Sequence, residues 1–183
     1  MDIVEHLPTG VLLRRYPDGR VEKLLDGLHF GNGLALAQDE SFIIVAETNA
    51  ARLLRYWLTG ERAGQHEVFA ELPGYPDNLT MSADGLIWVA LASSHNALLE
   101  KIHQLPLFMR KLIARLPESL QPAPEKIAWV MALNAQGRIV HDCCWKDGGY
   151  RMVTGVCQHR GTVYLGSMLE PALLAFDLPA TTA

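Results

Sequence analysis

The sequence predicts an all-β chain, a partial β-propeller of about three blades with a helical insertion near residues 97–124. Three features predict it. Short strand-like runs follow one another along most of the chain, a strand–turn–strand doublet recurs, and one stretch changes its apolar period from two to three or four residues.

Before the insertion the runs are Val11–Tyr16, Val21–Leu25, Gly33–Ala37, Phe42–Thr48, Arg52–Leu58, Glu67–Ala70, Leu79–Met81 and Leu86–Ala92. After it come Ala128–Leu133, Arg138–Trp145, Met152–Cys157, Thr162–Ser167 and Ala172–Asp177. Turn chemistry separates them, at Pro17-Asp18-Gly19, Gln38-Asp39-Glu40-Ser41, Ala83-Asp84-Gly85, Ala135-Gln136-Gly137 and Arg160-Gly161. Many short strands with frequent polar turns fit a sandwich, a barrel or a propeller.

The doublet decides among these. Gly31–Leu36 with Phe42–Glu47, Pro76–Met81 with Leu86–Leu91, and Val153–Cys157 with Thr162–Ser167 are three copies of one pattern. The first two start about 45 residues apart, close to the period of a four-stranded blade. The third starts about 77 residues after the second, one blade plus an insertion of roughly 30 residues. Residues 1–183 therefore read as a single half-propeller domain: two outer strands, two full blades and most of a last one. Propellers typically have 4–8 blades. An open arc leaves strand edges unpaired, which folded proteins avoid, so a partner is expected to complete the ring, either a second copy in a homodimer or another chain.

The insertion carries Leu98, Leu99, Ile102 and Leu105, then Phe108, Leu112, Ile113 and Leu116, at helical spacing, with Pro106 and Pro117 as breaks and Gln121-Pro122-Ala123-Pro124 as its end. The stripe is expected to pack on the propeller as a cap; a helix docking on a membrane or a partner is the other reading. Arg110, Lys111 and Arg115 cluster beside it and read as a solvated face.

The 183 residues are 49% hydrophobic and 20% charged, with a net charge of -4. That balance gives no electrostatic footprint for nucleic acid. No apolar run reaches the ~18–20 residues of a membrane span. The segment Met1–His6 has no signal-peptide pattern, and the expected location is cytoplasmic. Cys143, Cys144 and Cys157 are odd in number and lack framework spacing, so they read as buried free thiols.

The first strand of each propeller blade lies against the central axis, so equivalent positions of the repeat converge there. These are Asn32, Asp77 with Asn78, and Thr154. Antiparallel return brings the ends of the next strands, Glu47, Leu91 and Ser167, to the same face. Carboxylate and amide oxygens gathered at one end of an axis suit a hard cation such as calcium, which takes six to eight oxygen ligands. The same residue types also favour strand ends and turns for local reasons. His29, three residues before Asn32, is a candidate base at the axis or a solvated loop residue. Glu47 is either a neighbour of the metal site or a blade-edge charge. His95 stands like His29, and Trp57, Trp88, Trp129 and Trp145 read as packing residues.

The segments Leu25–Leu36, Val45–Thr48, Leu54–Leu58, Phe69–Asn78, Arg115–Pro117 and Tyr164–Ser167 resemble the strictosidine synthase-like proteins and the wider paraoxonase and gluconolactonase superfamily. The resemblance implies a six-bladed fold, of which this chain covers the later half. It implies a catalytic calcium with Asn32, Asp77 and Asn78 at matching ligand positions, and a small-molecule lactone or ester whose carbonyl the cation polarises. The family's remaining ligands lie in blades outside this sequence. Thr154 stands where strictosidine synthases carry an acid/base glutamate, so strictosidine synthesis is not expected. Two functions follow as expectations: a calcium-dependent hydrolase active when assembled, or a non-catalytic binding or scaffold propeller.

Overall fold

The computed structural model describes residues 2–117, 125–146 and 148–178. Among them are thirteen strands and three short helices. After α1 (Asp2–Glu5), β1 (Gly10–Arg15) and β2 (Val21–Leu28) pair as a two-stranded ladder. Strands β3 (Gly31–Leu36), β4 (Phe42–Glu47), β5 (Arg52–Trp57) and β6 (His66–Glu71) form one four-stranded antiparallel sheet in sequence order. Strands β7 (Gly74–Met81), β8 (Ile87–Ser94), β9 (Ala128–Leu133) and β10 (Ile139–Trp145) form a second. The third sheet is β11 (Val153–His159), β12 (Thr162–Ser167) and β13 (Leu174–Asp177). This is the expected partial propeller: two outer strands, two blades and three strands of another.

Each sheet is an up-and-down meander because tight turns reverse the chain. Gly85 and Gly137 take positive φ at the β7–β8 and β9–β10 hairpins, and at Gly137 a Cβ would meet the Phe69 carbonyl oxygen at 2.4 Å. The meanders stack face to face through three apolar layers. Leu12, Leu25 and Leu28 pack on Val45, Leu54 and Tyr56 between β1–β2 and the first blade. Ile44 and Leu53 pack on Ile87, Leu91 and Leu133 between the blades. Trp88, Val130 and Ala132 pack on Val153, Val163 and Leu165 toward the last sheet. Ile44, Leu53, Ile87, Trp88 and Leu91 are fully buried, each contributing about 1.5–3 kcal/mol or more from removal of apolar surface from water. Arg55 ties the blades together: its guanidinium lies over Phe42, Trp57 and Phe69 and donates to the Ala135 carbonyl at 2.6 Å.

The inner strands β3, β7 and β11 run side by side. At Gly33 the β3 backbone comes close to β7: a Cβ there would sit 2.5 Å from the Asn78 Cα. Across the next seam, Thr80 Oγ1 donates to the Val156 carbonyl at 3.0 Å.

The insertion between β8 and β9 holds α2 (Ala97–His103) and α3 (Leu107–Ile113). Asn96 caps α2, its side chain accepting from the Leu98 and Leu99 N–H groups, and Pro106 sits at the start of α3. The end of the insertion, Gln121-Pro122-Ala123-Pro124, lies outside the described residues. Two expectations need correction. Leu99 and Ile102 pack with Val4, Ala114 and Tyr75, but Leu98, Phe108, Leu112 and Leu116 remain exposed, so only part of the stripe acts as a cap. Cys144 and Cys157 are exposed and Cys143 is half-buried, with all three free. Cys143 and Cys144 sit on the outer strand of their blade, where alternation turns one side chain inward and the next to solvent.

Candidate functional site

In all three inner strands the ladder is interrupted at the same place. On β3, Gly31 pairs with Glu47 and Leu34 with Val45, leaving Asn32 and Gly33 opposite Ala46 alone. On β7, Pro76 pairs with Leu91 and Leu79 with Val89, leaving Asp77 and Asn78 opposite Ala90. On β11, Val153 pairs with Ser167 and Gly155 with Gly166, leaving Thr154 as the extra residue. A bulge releases a residue from the ladder and re-aims its side chain. Here three bulges do so at one end of the hub.

The side chains of Asn32, Asp77 and Asn78 meet, and Thr154 joins them through its backbone carbonyl. The Asn32 amide donates to Thr48 Oγ1 at 3.2 Å, and the Asn32 side chain lies close enough to Asp77 to stabilise its ionised carboxylate. Thr48 Oγ1 in turn donates to the Pro76 carbonyl at 2.7 Å. Asn78 Nδ2 donates to Asp77 Oδ1 at 3.0 Å and to the Thr154 carbonyl at 2.7 Å. Asn32, Asp77, Asn78 and Thr154 therefore form one cluster bridging three inner strands.

Above the cluster lies a cavity of about 390 Å³. Asn32 and Asp77 form part of its floor, and Phe30, Tyr75, Met152, Met168, Leu99 and Ile3 supply apolar wall. Phe30, Tyr75 and Met152 each stand two residues before Asn32, Asp77 and Thr154, so the wall is built from a repeat position too. Phe30 and Met152 take φ of 56° and 53°, unusual for bulky residues, and their carbonyls accept from the Thr48 and Met168 N–H groups. The sequence reading missed these residues. The offset of two from each polar position was the available signal.

Burial pushes the Asp77 carboxyl above the usual carboxylate range, against the opposing pull of the Asn32 side chain and the Asn78 backbone N–H. Among the described residues no Lys, Arg or His forms an ion pair with it. A half-buried carboxylate partnered only by amides is short of positive charge, and a bound cation would supply it. The donors fit a hard cation in kind, since Asn32, Asp77 and Asn78 offer amide and carboxylate oxygens. They are too few to fill a calcium shell, and among the described residues no cluster of three His, Cys, Asp or Glu groups suits a metal. For calcium, water, substrate or other blades would have to provide the rest.

The other sequence candidates lie elsewhere. Glu47 is fully buried and ion-paired to Arg52 Nε at 2.5 Å, and it accepts from the His29 backbone N–H at 2.8 Å. It holds the end of its blade together. The His29 ring lies against His6, with centroids 4.6 Å apart, and His6 stacks on His103 at 4.1 Å. His29 is thus part of a histidine stack with His6 and His103 and is not among the residues lining the cavity. His95 bridges Glu100 and the Leu72 carbonyl. Trp88 is fully buried against His141, and the Trp129 indole donates to Asp142.

The histidine stack has a pH consequence. Burial, then repulsion from His103, His29 and Arg110, lowers His6 from 6.5 to about 4, with Glu47 opposing. Burial likewise lowers His103, which also faces Arg110 and Glu100. Below 6.5 the unfolded chain takes up protons that the folded chain refuses, so stability falls as the pH drops from 6.5 toward about 4. Melting curves across that window should show the loss, and His6→Leu should flatten it.

The sequence of residues 1–101 matches the SMP-30/Gluconolactonase/LRE-like region. The chain belongs to the SMP-30/gluconolactonase/LRE-like family. Within its wider kinship it is 39% identical over 162 residues to strictosidine synthase-like protein 10 of Arabidopsis thaliana, covering 85% of this chain and 43% of that protein. It is 32% identical to the human adipocyte plasma membrane-associated protein, over 87% of this chain and 40% of that one. Among solved structures, a Xanthomonas campestris gluconolactonase superposes with TM-score 0.60 at 16% identity, over 92% of this chain and 44% of that one. Agrobacterium tumefaciens regucalcin, a calcium-binding protein, superposes with TM-score 0.56 at 16% identity, over 91% and 48%. These likenesses establish the lactonase-type propeller fold for this family member, which spans less than half the length of the relatives it matches.

Proposed function

We propose that the chain supplies the hub of a calcium-dependent hydrolase of small lactones or esters. The observation that carries this reading is the Asn32–Asp77–Asn78 cluster under an apolar cavity, with a half-buried carboxylate that no cationic side chain among the described residues pairs with. Asp77 would hold the cation through its carboxylate, with Asn32 and Asn78 as amide ligands once their oxygens turn toward it. A cation bound there would polarise the substrate carbonyl and stabilise the oxyanion that forms on attack by water. The chain's own residues do the rest. Phe30, Tyr75, Met152 and Met168 take up the apolar part of the substrate and exclude bulk water. Thr48 and the Thr154 carbonyl hold the two asparagines in place. Thr154 has no acidic proton to exchange at neutral pH, so strictosidine condensation is not part of the proposal. Neither is a role for the His29 ring, which lies in the histidine stack.

The proposal extends to assembly and location. A second copy or another chain completes the ring and the ligand shell, in a cytoplasmic protein. The calcium-binding regucalcin and the gluconolactonase among its structural neighbours support the cation and the substrate class.

The test is turnover on a panel of lactones and aryl esters, with calcium and with a chelator. Calcium-dependent turnover is the expected result. The single carboxylate in the cluster favours a second reading, a non-catalytic binding propeller. Calcium-stimulated ligand binding without turnover would establish that one instead.

A further inference from the structure

Helix α3 leaves its apolar side uncovered. Phe108 is 73% and Leu112 65% exposed, and no residue of the helix is buried. Among the described residues, Ile113 and the following Ala114 pack inward, against Val4, Leu99 and Ile102. Phe108 and Leu112 are four residues apart and stack on one face, while Lys111 lies on the same helix and Arg115 in the turn just after it. Arg110 points away, its guanidinium donating to the Glu5 carbonyl. Among the described residues neither Lys111 nor Arg115 has an ion-pair partner. They border a hollow whose one acidic neighbour is Glu5.

The helix is not isolated. Met168 and Leu169, in the turn after β12, are 67% and 56% exposed, and Met168 shares the cavity wall with Leu99 of α2 and Ile3 of α1. Helices α1 and α2, on which Ile113 and Ala114 pack, therefore contribute to the wall of that cavity.

The chemistry selects the occupant. These side chains protrude from a convex helix with basic neighbours. A protein partner would need a shaped cleft to receive them. A bilayer receives them without one: apolar side chains enter the boundary between headgroups and acyl chains, and lysine and arginine meet anionic headgroups. Among the described residues no helix is long and apolar enough to cross a membrane, so contact through α3 is peripheral. The net charge of -4 makes general attraction to an anionic surface unfavourable, which confines binding to this patch.

We propose that α3 forms a docking surface for an anionic lipid bilayer, with Phe108 and Leu112 inserted and Lys111 and Arg115 at the headgroups. The proposal is independent of whether the cavity hydrolyses anything.

Sedimentation of the full chain with vesicles tests it. Vesicles of phosphatidylcholine with phosphatidylserine should carry the protein down, phosphatidylcholine vesicles much less, and added salt should release it. Lys111→Glu with Arg115→Glu should weaken binding to the anionic vesicles by about tenfold or more. Phe108→Ser with Leu112→Ser should abolish binding while leaving the circular dichroism spectrum and melting temperature unchanged, because both side chains are exposed. Failure to bind either vesicle, equal binding to both, or unchanged binding by both double variants overturns the proposal. So does light scattering in which the Phe108→Ser, Leu112→Ser variant halves the mass of the wild-type assembly, because the surface would then belong to a second copy of the chain.

Discussion

Asp77→Asn is expected to lower hydrolysis by about a hundredfold or more, the scale seen when one charge-stabilising contact to an oxyanion is lost. It should also remove any rise in melting temperature produced by calcium, since linkage disappears with the site. The same substitution should make the calcium-free protein more stable. Burial holds the Asp77 carboxyl above its ordinary range, so ionising it in the folded chain at neutral pH costs stability. The direction follows from the raised folded-state value. Its favourable contribution is complete at pH below the unfolded value of 3.8 and is lost as the pH rises through the folded value. The amide keeps the shape and the contacts to Asn32 and Asn78 without the charge. Opposite signs for stability and activity are the mark of a site strained for function. Differential scanning calorimetry of both proteins, with calcium and with chelator, reads the stability half of this prediction. A calcium-free Asp77→Asn protein that melts below wild type would contradict it.

Gly33→Val is expected to be the most damaging single change to the hub. Even a Cβ at this position would stand 2.5 Å from the Asn78 Cα, 2.7 Å from the Asp77 carbonyl oxygen and 2.8 Å from the Leu79 N. All three are backbone atoms, so no side-chain rotation relieves the clash. β3 and β7 must move apart, and the Asn32–Asp77 contact goes with them. Overpacking of this kind costs about 3 kcal/mol or more. Gly155→Ala is the matched control, at the bulge of β11. Its Cβ would find the Gly166 N at 3.9 Å, an ordinary contact, and should cost about 0.5 kcal/mol. Urea unfolding of both variants should separate them, with similar m-values and very different midpoints.

Every strand of the fold was legible in the sequence, because β-branched and aromatic runs alternate with strong turn formers at nearly every reversal. The repeat placed Asn32, Asp77, Asn78 and Thr154 in phase, and the folded chain brings them into one cluster. What the repeat did not reveal was how they reach the hub. A bulge depends on the register of the partner strand, and nothing local to Asn32 or Asp77 announces it. The histidine stack was invisible for a similar reason, since His6, His29 and His103 come from the residue after α1, the loop before β3 and α2. Helical periodicity located α2 and α3 but overstated their burial. An apolar stripe shows which side chains share a face, and only tertiary packing shows whether that face is covered. Phe108 and Leu112 are the case in point.

Titration calorimetry of the chain with calcium tests the central claim most directly. With a single carboxylate the affinity should be weak, about 10⁻⁴–10⁻³ M, like the weakest calcium modules. The account predicts one saturable site in the wild-type chain that Asp77→Asn removes. Absence of binding, or the same binding in both proteins, would contradict it.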